Sequence, residues 1–410
     1  MHEQHDTVVI GGGQAGLVMS ALLQQRGLDH LVLERHQVGQ RWRTERWESL
    51  RFQFPNWSLE LPGWGYTGDE PDGFAHWREI LRVIEEYARI TRPPVREHVE
   101  VTQLRANDGG FVLSIPGGTI HARRVVVATG PFQKPRIPQV SAHIAPDVLQ
   151  TDPTRYRHPS DLPEGAVLVV GSGASGCQIG DELLRAGRTV FLAVSRHRRV
   201  PRRFRGRDVY WWLDRMGRFS QTIDSFPGRR WPPSTVVTGV NGGYDVTVRQ
   251  MAADGARVLG RVLGASGGVL TLARTANEIL DEADEAFEGF VAAAREFAAA
   301  NPDLDLGEEE ESISSARLQG NVVDVESLDF RREKVAAIVW ATGYDYDYGW
   351  LRAPALDAEG RPLQQRGVSP VPGLYFLGLH WMHTFKSGLV SGVGRDAEYI
   401  VEHMSDAKTR

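Results

Sequence analysis

The stretch that decides the fold is Thr7-Val8-Val9-Ile10-Gly11-Gly12-Gly13-Gln14-Ala15-Gly16. Its apolar, β-branched beginning predicts a buried parallel strand, and the apolar spacing after it predicts a helix that ends near Gly27. A second strand follows at His30-Leu31-Val32-Leu33 and is closed by Glu34. The order strand, glycines, helix, strand is that of a βαβ unit, the building block of a nucleotide-binding sheet.

The glycines at 11, 13 and 16 have separate tasks in such a unit. Gly11 permits the tight turn, Gly13 lets a pyrophosphate approach the backbone, and Gly16 lets the helix pack closely on the strand. The helix N-terminus offers free N–H groups and a positive dipole end to the phosphates. Glu34 ends the second strand, where a carboxylate accepts hydrogen bonds from both ribose hydroxyls. This full context favours a dinucleotide site over an ordinary glycine-rich turn.

A second copy of the unit begins with the predicted strand Ala166-Val167-Leu168-Val169-Val170. Glycines follow in the same spacing, then a helix and the strand Thr189 to Val194, which predicts a second dinucleotide site. Ser195-Arg196 stands where Glu34 stands in the first unit. A carboxylate there would repel a 2′-phosphate, whereas serine and arginine would bind it, so the second unit is predicted to take NADP(H). The predicted contacts are Gly171, Ser172, Gly173, Ser175, Gly176, Ser195 and Arg196.

Composition narrows the remaining classes. The chain has 410 residues, a net charge of −5 and one cysteine, Cys177, so an intramolecular disulfide is excluded. The basic run from Arg196 to Arg207 raises nucleic-acid binding as an alternative, but the net charge and the adjacent dinucleotide unit disfavour it. We see no apolar run of membrane-spanning length and no signal-peptide core, so cytoplasmic residence is the default expectation. His380 and His383 flank Trp381 without a carboxylate or cysteine at suitable spacing, so no metal site is predicted.

With these features the chain resembles the class B flavin-containing monooxygenases, the group that includes the YUCCA-type and Baeyer–Villiger enzymes and similar bacterial flavoprotein monooxygenases. The resemblance spans nearly the whole chain. The matching pieces are Gly11 to Gly16, Gly39-Gln40-Arg41-Trp42, Phe54-Pro55-Asn56, Ala128-Thr129-Gly130, Gly171 to Gly176, Ala341-Thr342-Gly343-Tyr344 and Gly373-Leu374-Tyr375-Phe376-Leu377-Gly378.

The resemblance implies an α/β protein with two Rossmann-like units in the glutathione-reductase-like arrangement, an FAD domain with an inserted NADP domain. The expected boundaries are 1–158 for the first part of the FAD domain, 159–332 for the NADP domain with a helical insertion, and 333–410 for the returning FAD segment. Thr342, in the returning segment, is added to the NADP contacts. The implied FAD contacts are Gly11, Gly13, Gln14, Ala15, Gly16, Glu34, Arg35, Arg41, Trp42, Asn56, Val101, Ala128, Thr129, Gly130, Gly378 and Leu379.

The resemblance also implies a chemistry. NADPH reduces the flavin, oxygen adds at flavin C4a, and the resulting hydroperoxide or peroxide attacks a nitrogen, a sulfur or a carbonyl carbon of a small organic substrate. Asn56 matches an asparagine near the oxygen-reactive face and is the candidate catalytic residue; a turn role after Pro55 is the alternative. Tryptophans between Trp42 and Trp77, together with Trp381, are candidates for an apolar pocket or for core packing. The roles of His380, His383 and Lys386 stay open.

One departure keeps other functions in view. The group's fingerprint, Phe-x-Gly-x-x-x-His-x-x-x-Tyr/Phe, corresponds here to Pro146, Val148, Asp152 and Tyr156, and only the tyrosine is retained. An NADPH-dependent flavin reductase or oxidase that makes hydrogen peroxide is therefore a second hypothesis, and a non-catalytic FAD- and NADP-binding redox sensor is a third. A thioredoxin-reductase-like role is disfavoured because no Cys-x-x-Cys is present. Small-molecule substrate and oxygen are the expected partners, and a homodimer is one oligomeric state that the sequence allows.

Overall fold

The computed structural model describes residues 2–229, 235–310 and 322–406. These residues form one mixed sheet and one all-parallel sheet, several two- or three-stranded ribbons, and α-helices that cover the sheets. The α-helices are Gln14–Gln25, Gln40–Thr44, Trp77–Thr91, Ala174–Arg185, Val209–Arg215, Val248–Ala253, Ala276–Ala300 and Val393–Asp406.

The first sheet has eight strands, which come from the N-terminal and the C-terminal parts of the described chain. Its centre is His2–Ile10, which pairs in parallel with His30–Leu33 on one side and with Gly118–Val127 on the other. Val8 and Val9 at this centre are fully buried, as the apolar run predicted. The sheet order is Leu351–Arg352, Gln103–Asn107, Gly110–Ile115, Gly118–Val127, His2–Ile10, His30–Leu33 and Val95–Arg96, and Leu374–Phe376 also pairs with Gly118–Val127.

The second sheet has five strands, and all of its pairs are parallel. Its strands Ala166–Val170 and Val190–Ala193 are buried along their whole length, which matches the predicted second unit. The order is Leu149–Thr151, Val335–Trp340, Ala166–Val170, Val190–Ala193 and Arg257–Leu259. The predicted fold class, α/β with two Rossmann-like units, is confirmed.

Short ribbons complete the described strands. They are Glu60–Leu61 with Trp64–Gly65, Lys134–Pro135 with Tyr344–Asp345, Arg198–Arg199 with Thr235–Val236, Arg203–Phe204 with Arg207–Asp208, and Val262–Ser266 with Val269–Leu272 and Ser327–Asp329. A helical insertion lies beside the second sheet, where Val209–Arg215 and Ala276–Ala300 share one aromatic cluster with Phe54 of the first unit.

Strand pairing favours domain boundaries that differ from the expected ones. The expected boundaries at 158/159 and 332/333 separate Leu149–Thr151 and Val335–Trp340 from the sheet to which both strands belong. The chain instead crosses between the two units at the antiparallel ribbon of Lys134–Pro135 and Tyr344–Asp345. We therefore propose that the second unit spans about 136–343, because the two connections of an inserted domain run side by side at its border.

The two glycine turns are nearly identical in geometry. Gly11 and Gly171 have φ of +116° and +111°, a region that side chains other than glycine's rarely adopt. A Cβ atom on Gly16 would overlap the carbonyl oxygen of Gly11, and one on Gly176 would overlap that of Gly171. Each helix therefore starts directly against the end of its strand.

This contact makes Gly16 a sensitive position for stability. Gly16→Ala should lower the free energy of unfolding by about 1–3 kcal/mol, because the methyl group forces the helix away from the strand. Gly13→Ala is the matched control, since a Cβ there meets no atom within 4 Å and its backbone is extended. Chemical denaturation of the ligand-free variants measures both, and an unchanged midpoint for Gly16→Ala would contradict the packing described.

Candidate active site between the two glycine turns

Both glycine turns open into one cavity of about 1460 Å³. The cavity is lined by the carboxyl ends of the central strands of both sheets, by segment 39–54, and by the C-terminal segment around Gly378. This is the edge at which open α/β sheets bind ligands. A volume of this size exceeds that of a usual small-molecule pocket, so it has room for more than one molecule.

The space above each glycine turn fits a dinucleotide diphosphate. A Cβ on Gly13 or on Gly173 would meet no atom within 4 Å, so the cavity reaches the backbone at both positions. Helices Gln14–Gln25 and Ala174–Arg185 begin there without a side-chain cap, which leaves their first N–H groups available. Free N–H groups and a positive helix end are what a diphosphate requires.

The two units differ in charge at the end of the second strand, as the sequence predicted. Glu34 lines the cavity, and its carboxylate accepts hydrogen bonds from the backbone N–H groups of Gly12 at 2.7 Å and His36 at 2.8 Å. Ser195 and Arg196 line the cavity from the second unit, and both are exposed to it. An anchored carboxylate suits ribose hydroxyls, and an arginine suits a phosphate.

Most of the predicted cofactor contacts lie on the cavity wall, and five do not: Gly16, Gly176, Leu379, Ser172 and Asn56. Gly16 and Gly176 form the helix–strand contacts described above, and Leu379 belongs to the core of the first unit. The residues on the wall are Gly11, Gly13, Gln14, Ala15, Glu34, Arg35, Arg41, Trp42, Val101, Ala128, Thr129, Gly130 and Gly378 in the first unit, and Gly171, Gly173, Ser175, Ser195, Arg196 and Thr342 in the second.

Ser172 is the fourth of these, and its predicted contact with the cofactor is revised. Its side chain is fully buried rather than directed into the cavity. The hydroxyl donates to the carbonyl oxygen of Ser195 at 2.7 Å and accepts from the Ser195 N–H at 3.0 Å. Ser172 therefore fixes the glycine turn to the end of the second strand, where the 2′-phosphate is expected.

Asn56 does not take the predicted catalytic position. Its amide nitrogen donates to the carbonyl oxygen of Glu70 at 2.9 Å, and its amide oxygen accepts from the N–H of Ala75 at 2.8 Å. The residue is buried and absent from the cavity wall. Both ends of the amide are used to close the loop 56–75, so the turn role is the one that the structure supports.

Aromatic residues line the cavity instead, and the sequence indicated only some of them. Trp42, Trp47 and Trp381 line the cavity as anticipated, whereas Trp57, Trp64 and Trp77 do not. The residues missed were Phe52, Gln53, Phe54, Phe385 and Leu389. Phe54 begins the Phe54-Pro55-Asn56 motif and Phe52 lies two residues before it, so the aromatic residues next to the motif were the available signal.

The sequence left the roles of His380, His383 and Lys386 open, and in the structure only one of these residues lines the cavity. His380 lines the cavity and packs edge-on against Phe132 at 4.8 Å, and burial lowers the pKa of His380 to about 4, so it is neutral at ordinary pH. Lys386 is absent from the wall and pairs with Asp214 at 2.8 Å. His383 is also absent from the wall. Of the three, only His380 can contact a bound ligand there.

Arg46 is a cation on the cavity wall that the sequence did not single out. Its guanidinium lies over the ring of Trp42 at 4.4 Å, and its Nη1 donates to the carbonyl oxygen of Glu45. Burial lowers the pKa of Arg46 to about 10, which still leaves it charged at neutral pH. The neighbouring carboxylate of Glu45 is paired with Arg41 at 2.7 Å, so Arg46 offers positive charge to an anionic ligand.

Comparison with known proteins agrees with this geometry. The model of the family "Pyridine nucleotide-disulphide oxidoreductase" matches residues 8–214. The uncharacterized oxidoreductase CzcO-like of Geobacillus kaustophilus is 33% identical over 399 residues, which are 97% of each chain. The chain belongs to this oxidoreductase family. It is similar to class B flavoprotein monooxygenases, and one solved structure with the same fold, at 16% identity and a TM-score of 0.54, is a complex with FAD and NADP.

Two further proteins are similar to the chain, one in sequence over part of its length and one in fold. Indole-3-pyruvate monooxygenase YUCCA6 of Arabidopsis thaliana is 28% identical over 196 residues, which are 46% of this chain and 47% of that protein. The flavin-containing monooxygenase from Stenotrophomonas maltophilia has the same fold, with a TM-score of 0.67 over 99% of both chains at 19% identity. In the described ranges, no helix is long and apolar enough to cross a membrane, and no cluster of ligating side chains fits a metal ion.

The disulphide chemistry in the family's description needs a thiol pair that this chain lacks. Cys177 is its only cysteine, and it is fully buried in the helix after the second glycine turn. Burial raises the pKa of the Cys177 thiol to about 12, and its sulfur lies 3.3 Å from the carbonyl oxygen of Ser172. A buried, protonated thiol is a packing group rather than a nucleophile.

Cys177 should therefore be inert in the folded protein. Ellman's reagent at pH 8 should titrate no thiol within minutes in buffer, and one thiol per chain after denaturation in guanidinium. Cys177→Ser should retain the flavin absorbance spectrum and NADPH oxidation. Rapid reaction of one thiol in the native protein would contradict the assignment and return thiol chemistry to consideration.

Proposed function

We propose that the chain is an FAD-dependent, NADPH-consuming monooxygenase that oxygenates a nitrogen, sulfur or carbonyl centre of a small organic molecule. The observation that carries this proposal is that both glycine turns open into the same cavity and share it with an aromatic wall. A hydride donor and its acceptor must meet, and this arrangement lets two dinucleotides reach one space. When bound, FAD supplies the hydride acceptor and the oxygen chemistry.

The chain's own residues bind, orient and shield. The N–H groups at Gln14 and Ala174 hold the diphosphates, and Glu34 holds the ribose of FAD. The wall of Trp47, Phe52 and Phe54 excludes water from the reacting centre, which limits loss of oxidising equivalents as hydrogen peroxide. Because its pKa is about 4, neutral His380 can donate one hydrogen bond and accept another over the physiological pH range.

The fingerprint positions lie away from the cavity wall. Val148 and Tyr156 lie in the cores beside the second sheet, and the Tyr156 hydroxyl donates to Glu182 at 2.8 Å. Asp152 accepts hydrogen bonds from Thr154 within its own turn. None of the three lines the cavity, so their identity affects packing of the second unit more directly than chemistry at the wall.

Oxygen reactivity separates the proposal from the peroxide-forming oxidase and from the redox sensor. Anaerobic NADPH should bleach the flavin absorbance of the purified protein. On readmission of oxygen, we expect a transient spectrum distinct from both oxidised and reduced flavin, and product formed in step with NADPH when amines, sulfides and ketones are screened. Immediate reoxidation with stoichiometric peroxide across all substrates would support the oxidase, and an unreduced flavin would support the sensor.

A second arginine supports the preference for NADPH. Arg261 follows the strand Arg257–Leu259, which pairs with Val190–Ala193 so that Arg261 falls level with Ser195, one strand away. The Arg261 backbone is fixed by Ala273 at 2.8 Å and by Thr275, and its side chain lines the cavity. Neither Arg196 nor Arg261 has an ion-pair partner in the part of the chain that the structure describes. Two free cations beside Ser195 suit a 2′-phosphate.

Removing either arginine should weaken the binding of NADPH and leave the binding of NADH nearly unchanged. Charged hydrogen bonds contribute about 1.5–3 kcal/mol, so Arg196→Ala and Arg261→Ala should each raise the KM for NADPH roughly tenfold or more and leave that for NADH nearly unchanged. Arg332→Ala, an exposed arginine of the same unit away from the cavity, is the control. Equal effects on NADPH and NADH would contradict a 2′-phosphate contact.

A further inference from the structure

Gln53 presents an unsatisfied polar group beside the cavity. Its side-chain oxygen Oε1 is buried and has no hydrogen-bond partner, and the residue lines the cavity. Buried side-chain polar atoms in folded proteins almost always have a partner, since an unpaired one costs free energy. Among the described residues with such an orphaned atom, Gln53 is the one that belongs to the cavity wall.

The backbone of Gln53 is held firmly, so the orphaned amide is not the result of a loose segment. The Arg202 guanidinium donates to the carbonyl oxygen of Gln53 at 2.7 Å. Arg202 is itself 1% exposed, donates through Nε and Nη2 to Asp208, and lies over the ring of Phe74 at 4.1 Å. This buried arrangement fixes where the Gln53 side chain enters the wall.

Aromatic residues flank Gln53 in the sequence, and all three residues line the cavity. The ring of Phe54 lies 4.1 Å from that of Tyr210, and the ring of Phe52 meets Trp42 edge-on at 6.3 Å. An apolar wall with one fixed polar group is the arrangement that orients a small ligand. Asn56, three residues later, satisfies both ends of its amide within its own loop, so it is Gln53 that has hydrogen-bonding capacity to spare.

We propose that the Gln53 carboxamide orients the molecule bound beside the aromatic wall by accepting a hydrogen bond from an N–H or O–H group of that molecule. The terminal amide turns about a broad, two-fold torsion, so Oε1 can reach a donor in the cavity. The donor belongs either to a substrate with an aromatic or apolar body or to the nicotinamide carboxamide. The inference rests on the proposed function for the presence of these two ligands.

Gln53→Met tests the proposal, because methionine keeps the length of the side chain and removes its hydrogen bonding. Binding is measured by titration calorimetry on the FAD-loaded protein with two matched pairs of probes. N-methylaniline carries one N–H donor that N,N-dimethylaniline lacks, and NADP⁺ carries a carboxamide that its 3-acetylpyridine analogue lacks. We expect the wild type to favour the donor-bearing member of one pair about three- to tenfold, and Gln53→Met to abolish that preference.

Stability of the ligand-free protein gives a second readout that a structural glutamine would not share. Since Oε1 has no partner to lose, Gln53→Met should melt no lower than the wild type, whereas a structural glutamine would be destabilised by the change. Gln25→Met, on an exposed glutamine at the end of Gln14–Gln25, is the control and should alter neither binding nor melting.

The outcomes separate the possible sources of the donor. Loss of preference in the aniline pair identifies the substrate, and loss in the nucleotide pair identifies the nicotinamide. Equal preferences in wild type and Gln53→Met for both pairs, or a lower melting temperature with unchanged preferences, would overturn the proposal. A preference that depends on Gln53 in a protein without oxygen-dependent chemistry would support this inference while refuting the proposed monooxygenase function.

Discussion

The structure depends on one steric constraint, repeated twice: a helix must begin against the carbonyl oxygen at the end of its strand. Gly16 over Gly11 and Gly176 over Gly171 satisfy it, because only glycine has no Cβ to occupy the contact. This approach directs the first helical N–H groups past the strand end and into the cavity. Since both units do so toward the same space, two diphosphates can be held with their reactive ends near each other.

Charge then distinguishes the two otherwise similar sites. The first unit ends its second strand in a carboxylate that two backbone N–H groups hold in place, and the second ends in Ser195 and Arg196, with Arg261 on the next strand. A carboxylate and a 2′-phosphate repel each other, so the sites favour different dinucleotides. The cavity wall between them carries aromatic side chains, and its polar groups include neutral His380, the Gln53 amide and the Arg46 cation.

Local sequence patterns were enough to predict both βαβ units, because each strand, glycine turn and helix is encoded within about 30 residues. The antiparallel strands Gln103–Asn107 and Gly110–Ile115 lie outside these units, and their register depends on pairing with each other and with Gly118–Val127. The domain boundaries that we propose differ from those expected because Leu149–Thr151 and Val335–Trp340 join a sheet whose partners are distant in sequence.

Side-chain direction was the least predictable feature of the site. The motif containing Asn56 was found, but whether the Asn56 amide or the Gln53 amide before the motif lines the cavity depends on contacts with Glu70 and Ala75 for Asn56 and with Arg202 for Gln53. Such contacts join loops that are far apart along the chain, and no local periodicity reports them. Ser172 shows the same limit, because its position in the glycine motif suggests phosphate binding and its buried hydroxyl binds Ser195.

The central claim, that each glycine turn holds its own dinucleotide, is tested most directly by filling each turn in separate variants. Gly13 and Gly173 both have extended backbones that valine accepts, and both face open space, so valine at either position blocks the diphosphate without disturbing the fold. Flavin content and NADP⁺ affinity are then measured on both purified proteins. We predict that the Gly13→Val protein loses FAD, whereas the Gly173→Val protein retains FAD and loses NADP⁺ binding. A Gly173→Val protein that loses its flavin beside a Gly13→Val protein that keeps it would contradict the account.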